Sequence, residues 1–412
     1  MKISNLLLCF VFCFVLAWSK AQAPTHTSFN ISVPQWEEDI DYFAKQLVKK
    51  HKNAFHLMTE EQFNRAINDL KKDLPGLADY QVIIRLLQIT ANIGDGHTYV
   101  HLPADMKRYP VTLYWFGKDL YTIRATENYK QALGKKLVKI NGLPLTDAMQ
   151  KISTILSREQ NESFIMFNSA IDLTVPQILH ALGIVADVEK AKFTFADENG
   201  IETELELPAI VQTEQKWIGA AKEEPLSRQR TAENFWFTYV DDIDAVYVNF
   251  KSYDDLAQNS RKLFDFIDEK KPANMIIDLR QNSGGDFHKG RRLLSRIKEN
   301  PTINQKDHLF VIPGRRTFSA AMVNTIDFKK ETNATIIGEP PGGRPNEYSE
   351  NDEMKLPNSG IVVSYSTKYY KFLDDDMPAF EPDIRVDPNW KDYLSGVDPV
   401  MEKIRQIIRS KH

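Results

Sequence analysis

A serine at a helix start and a glycine pair after an apolar run have settings in this chain that suit chemistry. Ser319 lies in Thr317-Phe-Ser-Ala-Ala321. An apolar run from His308 to Ile312 precedes it, and a Pro313-Gly314 turn intervenes. Apolar residues near helical spacing follow, so the pattern reads strand, turn, helix, with the serine at the helix mouth. A hydroxyl there is exposed, and the helix dipole favours negative charge beside it. That suits a nucleophile attacking a carbonyl, whose oxygen becomes an anion. Serine is also a common helix cap, and Ser319 alone fits either role.

The second segment is Asn274-Met-Ile-Ile-Asp-Leu-Arg280, an almost continuous apolar run typical of a buried strand. It breaks into Gln281-Asn282-Ser283-Gly284-Gly285-Asp286, and Phe287, Leu293, Leu294 and Ile297 then follow a helical pattern. A glycine pair in that place lets backbone N–H groups face a ligand or an intermediate. No Gly-Lys-Ser/Thr follows and no Gly-x-Gly-x-x-Gly is present, which excludes the phosphate loops. A plain strand-to-helix turn is the alternative.

Five segments together resemble the tail-specific, or C-terminal processing, serine peptidases, which include the tricorn core protease. They are Asp278 to Gly285, Thr317 to Ala321, Ile337-Gly-Glu339, Pro382-Asp383-Ile384 and Gly396-Val-Asp-Pro399. Their order and spacing are similar to the family's across roughly residues 235 to 410. The resemblance implies an α/β fold of the crotonase and Clp-protease type, with Ser319 as nucleophile. It also implies an oxyanion hole from the backbone N–H of Ala320 and of Gly284 or Gly285.

The family activates its serine in two ways. One branch uses a lysine about twenty-five residues downstream, and here that position is Arg344. A guanidinium stays protonated and cannot serve as base. The tricorn-type branch uses an upstream histidine, and Ile93-Gly-Asp-Gly-His97-Thr98 resembles its motif. A neutral imidazole is the usual base for a serine hydroxyl. The tricorn core carries a serine just before that histidine; Gly96 stands there in this chain. The resemblance places the carboxylate that orients His97 at Asp376, within Asp374-Asp375-Asp376. Glu381 is a neighbouring candidate, and Asp95 is close enough to hold the ring locally.

Competing chemistries are poorer fits. Ser295-Arg-Ile-Lys298 has the Ser-x-x-Lys spacing of penicillin-recognising enzymes, but no Ser-Asp-Asn or Lys-Thr-Gly accompanies it. His97 and His101 would share a metal only on a helix. Thr-Tyr-Val between them favours a strand, where four residues span roughly 13 Å. Ser283 lacks the helix-start setting, and His288 reads as a surface histidine.

These residues need elements to position them. Residues 24–105 read as a helical domain carrying His97. Trp36, Ile40, Phe43 and Leu47 make one apolar face, Thr59-Glu-Glu-Gln62 is a capping box, and Val82, Ile83, Leu86 and Leu87 make a third stripe. Residues 106–215 read as a β-rich module with turn signals at Asn141-Gly142 and Asn199-Gly200. Its segment Leu133 to Leu145 partly resembles the carboxylate-binding core of a PDZ domain. Gln212 to about Glu233 is polar and reads as a linker. Residues 216–412 alternate strands and helices as a parallel α/β core does. The site is therefore expected in the cleft between the helical and α/β domains, where closure would regulate it.

The chain has 412 residues, enough for two or three cores. Residues 1–23 read as a secretory leader: Met1-Lys2, an apolar Leu6 to Trp18, and an Ala21-Gln22-Ala23 cleavage site. An uncleaved anchor is the alternative. Cys9 and Cys13, the only cysteines, both lie in it. The mature chain thus has no disulfide, thiolate metal site or cysteine nucleophile. Removing Lys2 and Lys20 leaves 50 basic against 56 acidic residues, a charge of about −6, with no basic stripe for nucleic acid. Asn30, Asn161 and Asn333 fit the glycosylation sequon. The expectation is an exported, periplasmic, envelope or secreted serine endopeptidase acting on peptides or proteins, without metal or organic cofactor. A non-catalytic binding protein on the same scaffold and a hydrolase of small esters or amides are the rivals.

Overall fold

The computed structural model describes residues 30–212 and 216–410. The leader, with both cysteines, lies outside them. The first helices are α1 (Val33–Lys50), α2 (Glu60–Asp73) and α3 (Asp79–Ile93). The stripe Trp36, Ile40, Phe43 and Leu47 is buried against α2 and α3. The capping box forms: Gln62 N–H donates to Thr59 Oγ1 at 3.1 Å, and Thr59 N–H to Gln62 Oε1 at 2.8 Å. Helix α3 stops at Gly94, whose φ of +110° lets the chain turn left-handed towards His97. A short strand, β1 (Tyr99–Val100), follows.

The next unit is an antiparallel sheet of seven strands: β2 (Val111–Phe116), β3 (Asp119–Thr126), β4 (Lys136–Ile140), β5 (Leu143–Pro144), β6 (Lys190–Ala196), β7 (Glu202–Pro208) and β8 (Trp217–Gly219). Its order is β2-β3-β4-β6-β7, with β5 on β4 and β8 on β3. Helices α4 (Leu145–Ile152), α5 (Glu162–Asp172) and α6 (Pro176–Ala181) are inserted between β5 and β6. Strand β8 falls in the polar stretch expected to be a linker. Three residues are too few to show alternation, but Trp217 packs under the Arg124 guanidinium and fixes the pairing.

The last unit is an α/β sheet of order β16-β13-β12-β11-β10-β9. Its elements are β9 (Phe235–Val240), β10 (Ala245–Phe250), α7 (Leu256–Lys270), β11 (Asn274–Asp278), α8 (Phe287–Lys298), β12 (Leu309–Ile312), α9 (Ala320–Glu331), β13 (Thr335–Gly338), β14 (Asn346–Lys355), β15 (Val362–Lys371), β16 (Ile384–Arg385), α10 (Trp390–Ser395) and α11 (Pro399–Arg409). Strands β10 to β13 and β16 are parallel, and β9 is antiparallel to β10. Alternate residues face opposite sides. Val246, Val248 and Ile277 pack on α7, α8 and α9, whereas Tyr247, Ile276 and Phe310 pack on α11. The fold is thus mixed α/β, with a helical N-terminal region and several sheets.

One element joins the first unit to the last. The hairpin β14–β15 leaves the α/β sheet and forms its own sheet with β1, in the order β1-β15-β14. Met354, Leu356, Ile361, Val363 and Tyr365 complete the core of α1 to α3. Its tip is pinned by buried Asp39 of α1, which accepts the N–H groups of Asn358 and Ser359, each at 2.8 Å. This strap carries residues from the α/β unit to His97.

Candidate active site

Ser319 follows β12 and directly precedes α9, as the strand-turn-helix pattern predicts. Its backbone has φ 49° and ψ −127°, a conformation that glycine tolerates far better than serine. Its side chain makes no capping hydrogen bond to α9. The strained turn and the absent cap bond set Ser319 apart from an ordinary helix cap. The loop is held from below: Thr317 Oγ1 donates to Leu279 O at 2.8 Å and accepts Gly314 N–H at 2.9 Å. Phe318 N–H donates to Asn282 O at 3.2 Å. These bonds lock the loops after β11 and β12 together at the carboxyl ends of parallel strands, the usual place for a site in such sheets.

The glycine pair lies against this turn. A Cβ on Gly284 would stand 2.8 Å from Ser319 Cβ and 3.4 Å from Ala320 N. Gly284 has φ +118°, and its N–H donates to Asn282 Oδ1 at 2.9 Å. Asn282 is fully buried and donates its own amide to Phe250 O at 3.0 Å. Gly284 N–H is thus engaged. The N–H groups of Gly285 and Ala320 have no hydrogen-bond partner among the described residues.

His97 is brought in by the helical unit. Asp95 Oδ1 accepts the His97 backbone N–H at 3.0 Å and the Ser366 hydroxyl of β15 at 2.7 Å. Asp95 Oδ2 meets His51 Nε2 at 2.8 Å. Asp95 therefore holds the backbone of His97, where the sequence suggested it would hold the ring. Burial would raise the Asp95 carboxyl, but the hydrogen bonds and charge of its partners hold it below the usual value. The His97 ring stacks on Phe318, with centroids 4.7 Å apart, one residue from Ser319. Burial pushes its pKa down to about 4, opposed chiefly by Asp95, so the ring is neutral at neutral pH. Among the described residues, no hydrogen bond joins Ser319 to the ring; its Nε2 lies 3.4 Å from Ser349 Oγ. Gly96 shows why no serine precedes His97. A Cβ there would stand 2.9 Å from Phe318 Cζ and 3.0 Å from the Gln160 amide.

The carboxylates fall differently from the sequence expectation. Asp376 is about two-thirds exposed and pairs with Arg344 at 3.2 Å, as suits an acidic loop beside a fixed cation. Glu381 faces Arg385 at 3.9 Å. The acid beside the His97 ring is Glu347, whose Oε1 lies 3.9 Å from Nδ1. Glu347 and Ser349 share one face of β14 because side chains alternate along a strand. Sequence reasoning missed both. The stretch Asn346-Glu-Tyr-Ser-Glu-Asn-Asp reads as an exposed polar strand, yet Glu347 is 5% exposed. Period-two spacing would have paired Glu347 with Ser349, but only the docked strap buries Glu347.

No protein-family model matches the chain, and no curated protein matches it. Solved structures do. Mature CPAF complexed with lactacystin aligns at 12% identity with a TM-score of 0.62, over 92% of this chain and 99% of that one. Mature CPAF alone aligns at 11% identity and 0.63, over 92% and 98%. The photosystem II D1 C-terminal processing protease aligns at 13% and 0.43, over 90% and 97%, too loosely to add to the argument. Along nearly its whole length the chain therefore shares the fold of mature CPAF.

Proposed function

We propose that this protein is a serine peptidase in which Ser319 attacks the peptide carbonyl and His97 is the general base. The observation that carries this reading is Ser319 itself: a strained backbone at a helix start, with a side chain that caps nothing. Strain at a site of this kind persists where function needs the geometry. His97, neutral and stacked on Phe318, the residue before Ser319, takes the hydroxyl proton as the Oγ–carbonyl bond forms. The tetrahedral oxyanion is received by the N–H groups of Ala320 and Gly285. His97 returns the proton to the leaving amine, and water then releases the acyl group by the same route. A cavity of about 200 Å³ beside the His97 segment, lined by Gly96, Leu156 and Phe164 and also by Asp95 and Arg108, is the candidate pocket for a substrate side chain. The fold shared with mature CPAF supports the reading.

Peptide-library cleavage read by mass spectrometry tests it, with Ser319→Ala and His97→Ala beside the parent. Cleavage lost in both variants is expected. A folded parent that neither cleaves peptides nor turns over small esters sinks the proposal. The missing Ser319–His97 hydrogen bond favours one second reading, a non-catalytic binder of peptides, which that outcome would select. We also propose export, on the strength of residues 1–23. N-terminal sequencing of protein recovered outside the cytoplasm tests it; an intact leader on soluble cytoplasmic protein would count against it.

A further inference from the structure

Unpartnered polar atoms concentrate beside the His97 ring. His97 Nδ1, Glu347 Oε2, both amide atoms of Gln160 and Arg344 Nε are buried without a hydrogen-bond partner. Such atoms are costly, and native interiors pair nearly all of them. The residues converge from three units: His97 after α3, Gln160 just before α5, and Arg344 and Glu347 at the start of the strap. Arg344 Nη1 donates to Glu159 O at 3.1 Å and Nη2 to Asp376 at 3.2 Å. It therefore ties down the acidic loop and leaves Glu347 facing the ring.

We propose that Glu347 is the positioning residue for His97, accepting its Nδ1–H, and that Gln160 supports the Glu347 carboxyl. This rests on the peptidase reading above. The resting separation of 3.9 Å needs a movement of about 1 Å to become a hydrogen bond. Catalytic hydrogen bonds commonly tighten in this way when substrate binds. The ring nitrogens agree with this assignment. Ser349 Oγ lies 3.4 Å from Nε2 and is able to donate to its lone pair, the one a general base offers Ser319; in that tautomer the proton sits on Nδ1 and faces Glu347. The other ionisable groups acting on the pair are Asp95, Glu350 and Arg344. Burial, with the Asp95 charge, raises the Glu347 carboxyl well above its ordinary value, against the Arg344 backbone N–H and charge. Glu347 therefore accepts through the carbonyl oxygen of a neutral acid, and glutamine should replace it.

The test uses the full chain with Glu347→Ala, Glu347→Gln and Asp376→Asn. Three readouts are compared: kcat and KM on a cleaved peptide, the rate of Ser319 labelling by a fluorophosphonate, and the imidazole N–H resonance of His97. Glu347→Ala is expected to lower kcat by roughly 10²-fold or more at unchanged KM and to abolish the downfield Nδ1–H resonance. Glu347→Gln should keep the resonance and stay within about tenfold of the parent, and Asp376→Asn should resemble the parent. Loss in Asp376→Asn with a parent-like Glu347→Ala overturns the proposal, as does a parent lacking the Nδ1–H resonance. If Glu347→Ala does not fold, the resonance in the parent and in Glu347→Gln still decides. A parent that shows the resonance but neither labels nor cleaves defeats the peptidase reading and leaves the contact standing.

Discussion

Asp95 grips His51 and the His97 backbone at once: one oxygen takes His51 Nε2 at 2.8 Å, the other the His97 N–H at 3.0 Å. The His51 tautomer is fixed from behind, because its Nδ1 accepts the Asn53 backbone N–H at 3.0 Å. Its Nε2 therefore carries the proton and donates to Asp95. Asp95→Ala leaves three buried donors unpaired, those of His51, His97 and Ser366. A loss of on the order of 3 kcal/mol or more is expected in urea unfolding. Asp95→Asn should also be costly, since its amide would turn one donor towards another. A parent-like unfolding midpoint in both variants would show that Asp95 does not anchor this segment.

The strain at Ser319 predicts an unusual separation of stability from activity. At φ 49° and ψ −127°, glycine sits without strain and alanine does not. Ser319→Gly should be more stable than Ser319→Ala by about 1 kcal/mol, although both lack the proposed nucleophile. Chemical denaturation of the two variants side by side measures the difference. Equal stabilities would mean that the turn relaxes in solution.

Gly284 predicts the reverse coupling, damage to the site by one methyl group. Its φ of +118° is left-handed, and a Cβ would stand 2.8 Å from Ser319 Cβ and 3.1 Å from Phe318 O. Gly284→Ala should cost about 1–3 kcal/mol and displace Ser319. Labelling of Ser319 by a fluorophosphonate should fall by at least about tenfold. Unchanged labelling in Gly284→Ala would place the glycine turn outside the reacting centre.

Much of this site was legible in the sequence because its parts are local. A strand, a turn and a helix around Ser319, and a strand ending in Gly284-Gly285, are each set by periodicity within about a dozen residues. The α/β class follows from their alternation. What was not legible is long-range. The pairing of β1 with β15 joins residues more than 260 apart in the chain, such as Tyr99 and Ser364. Nothing in the polar run after Asn346 announces burial. Burial of Glu347 arises from the docking of the strap, and its tip is fixed by Asp39, 319 residues from Asn358. The acidic triplet at Asp374 to Asp376 looked more reactive because it is charged and clustered, yet exposure and Arg344 account for it.

Glu347 makes a stability prediction with a definite sign. Its folded carboxyl is raised well above the ordinary value, chiefly by burial. The folded state therefore holds a proton that the unfolded chain has released. Its contribution is fully present below the unfolded range near 4.5 and is lost as pH rises towards the folded value. Glu347→Gln stays neutral throughout. Its stability relative to the parent should improve as pH rises above about 5, by up to ~1.4 kcal/mol per unit. Urea midpoints of both proteins from pH 5 to 8 measure this. A constant difference would mean that Glu347 is ionised in the folded protein.

In the proposed mechanism His97 sets the acid limit of the rate. Burial holds its pKa at about 4, and the ring accepts the Ser319 proton only when neutral. In the free enzyme kcat/KM should therefore stay level as pH falls from 8 to about 5, and decline only towards pH 4. An unperturbed histidine would begin to fail near pH 6.5. The measurement is kcat/KM against pH on a peptide without ionisable side chains, with far-UV circular dichroism to confirm folding at each point. The negative charge of Asp95 does most to hold the His97 pKa up against burial, so an Asp95→Asn protein that folds should carry its acid limb to still lower pH. A limb centred at pH 6 or above in the parent would mean that the ring is solvated when it acts, and the helical unit would have to open before the serine is activated.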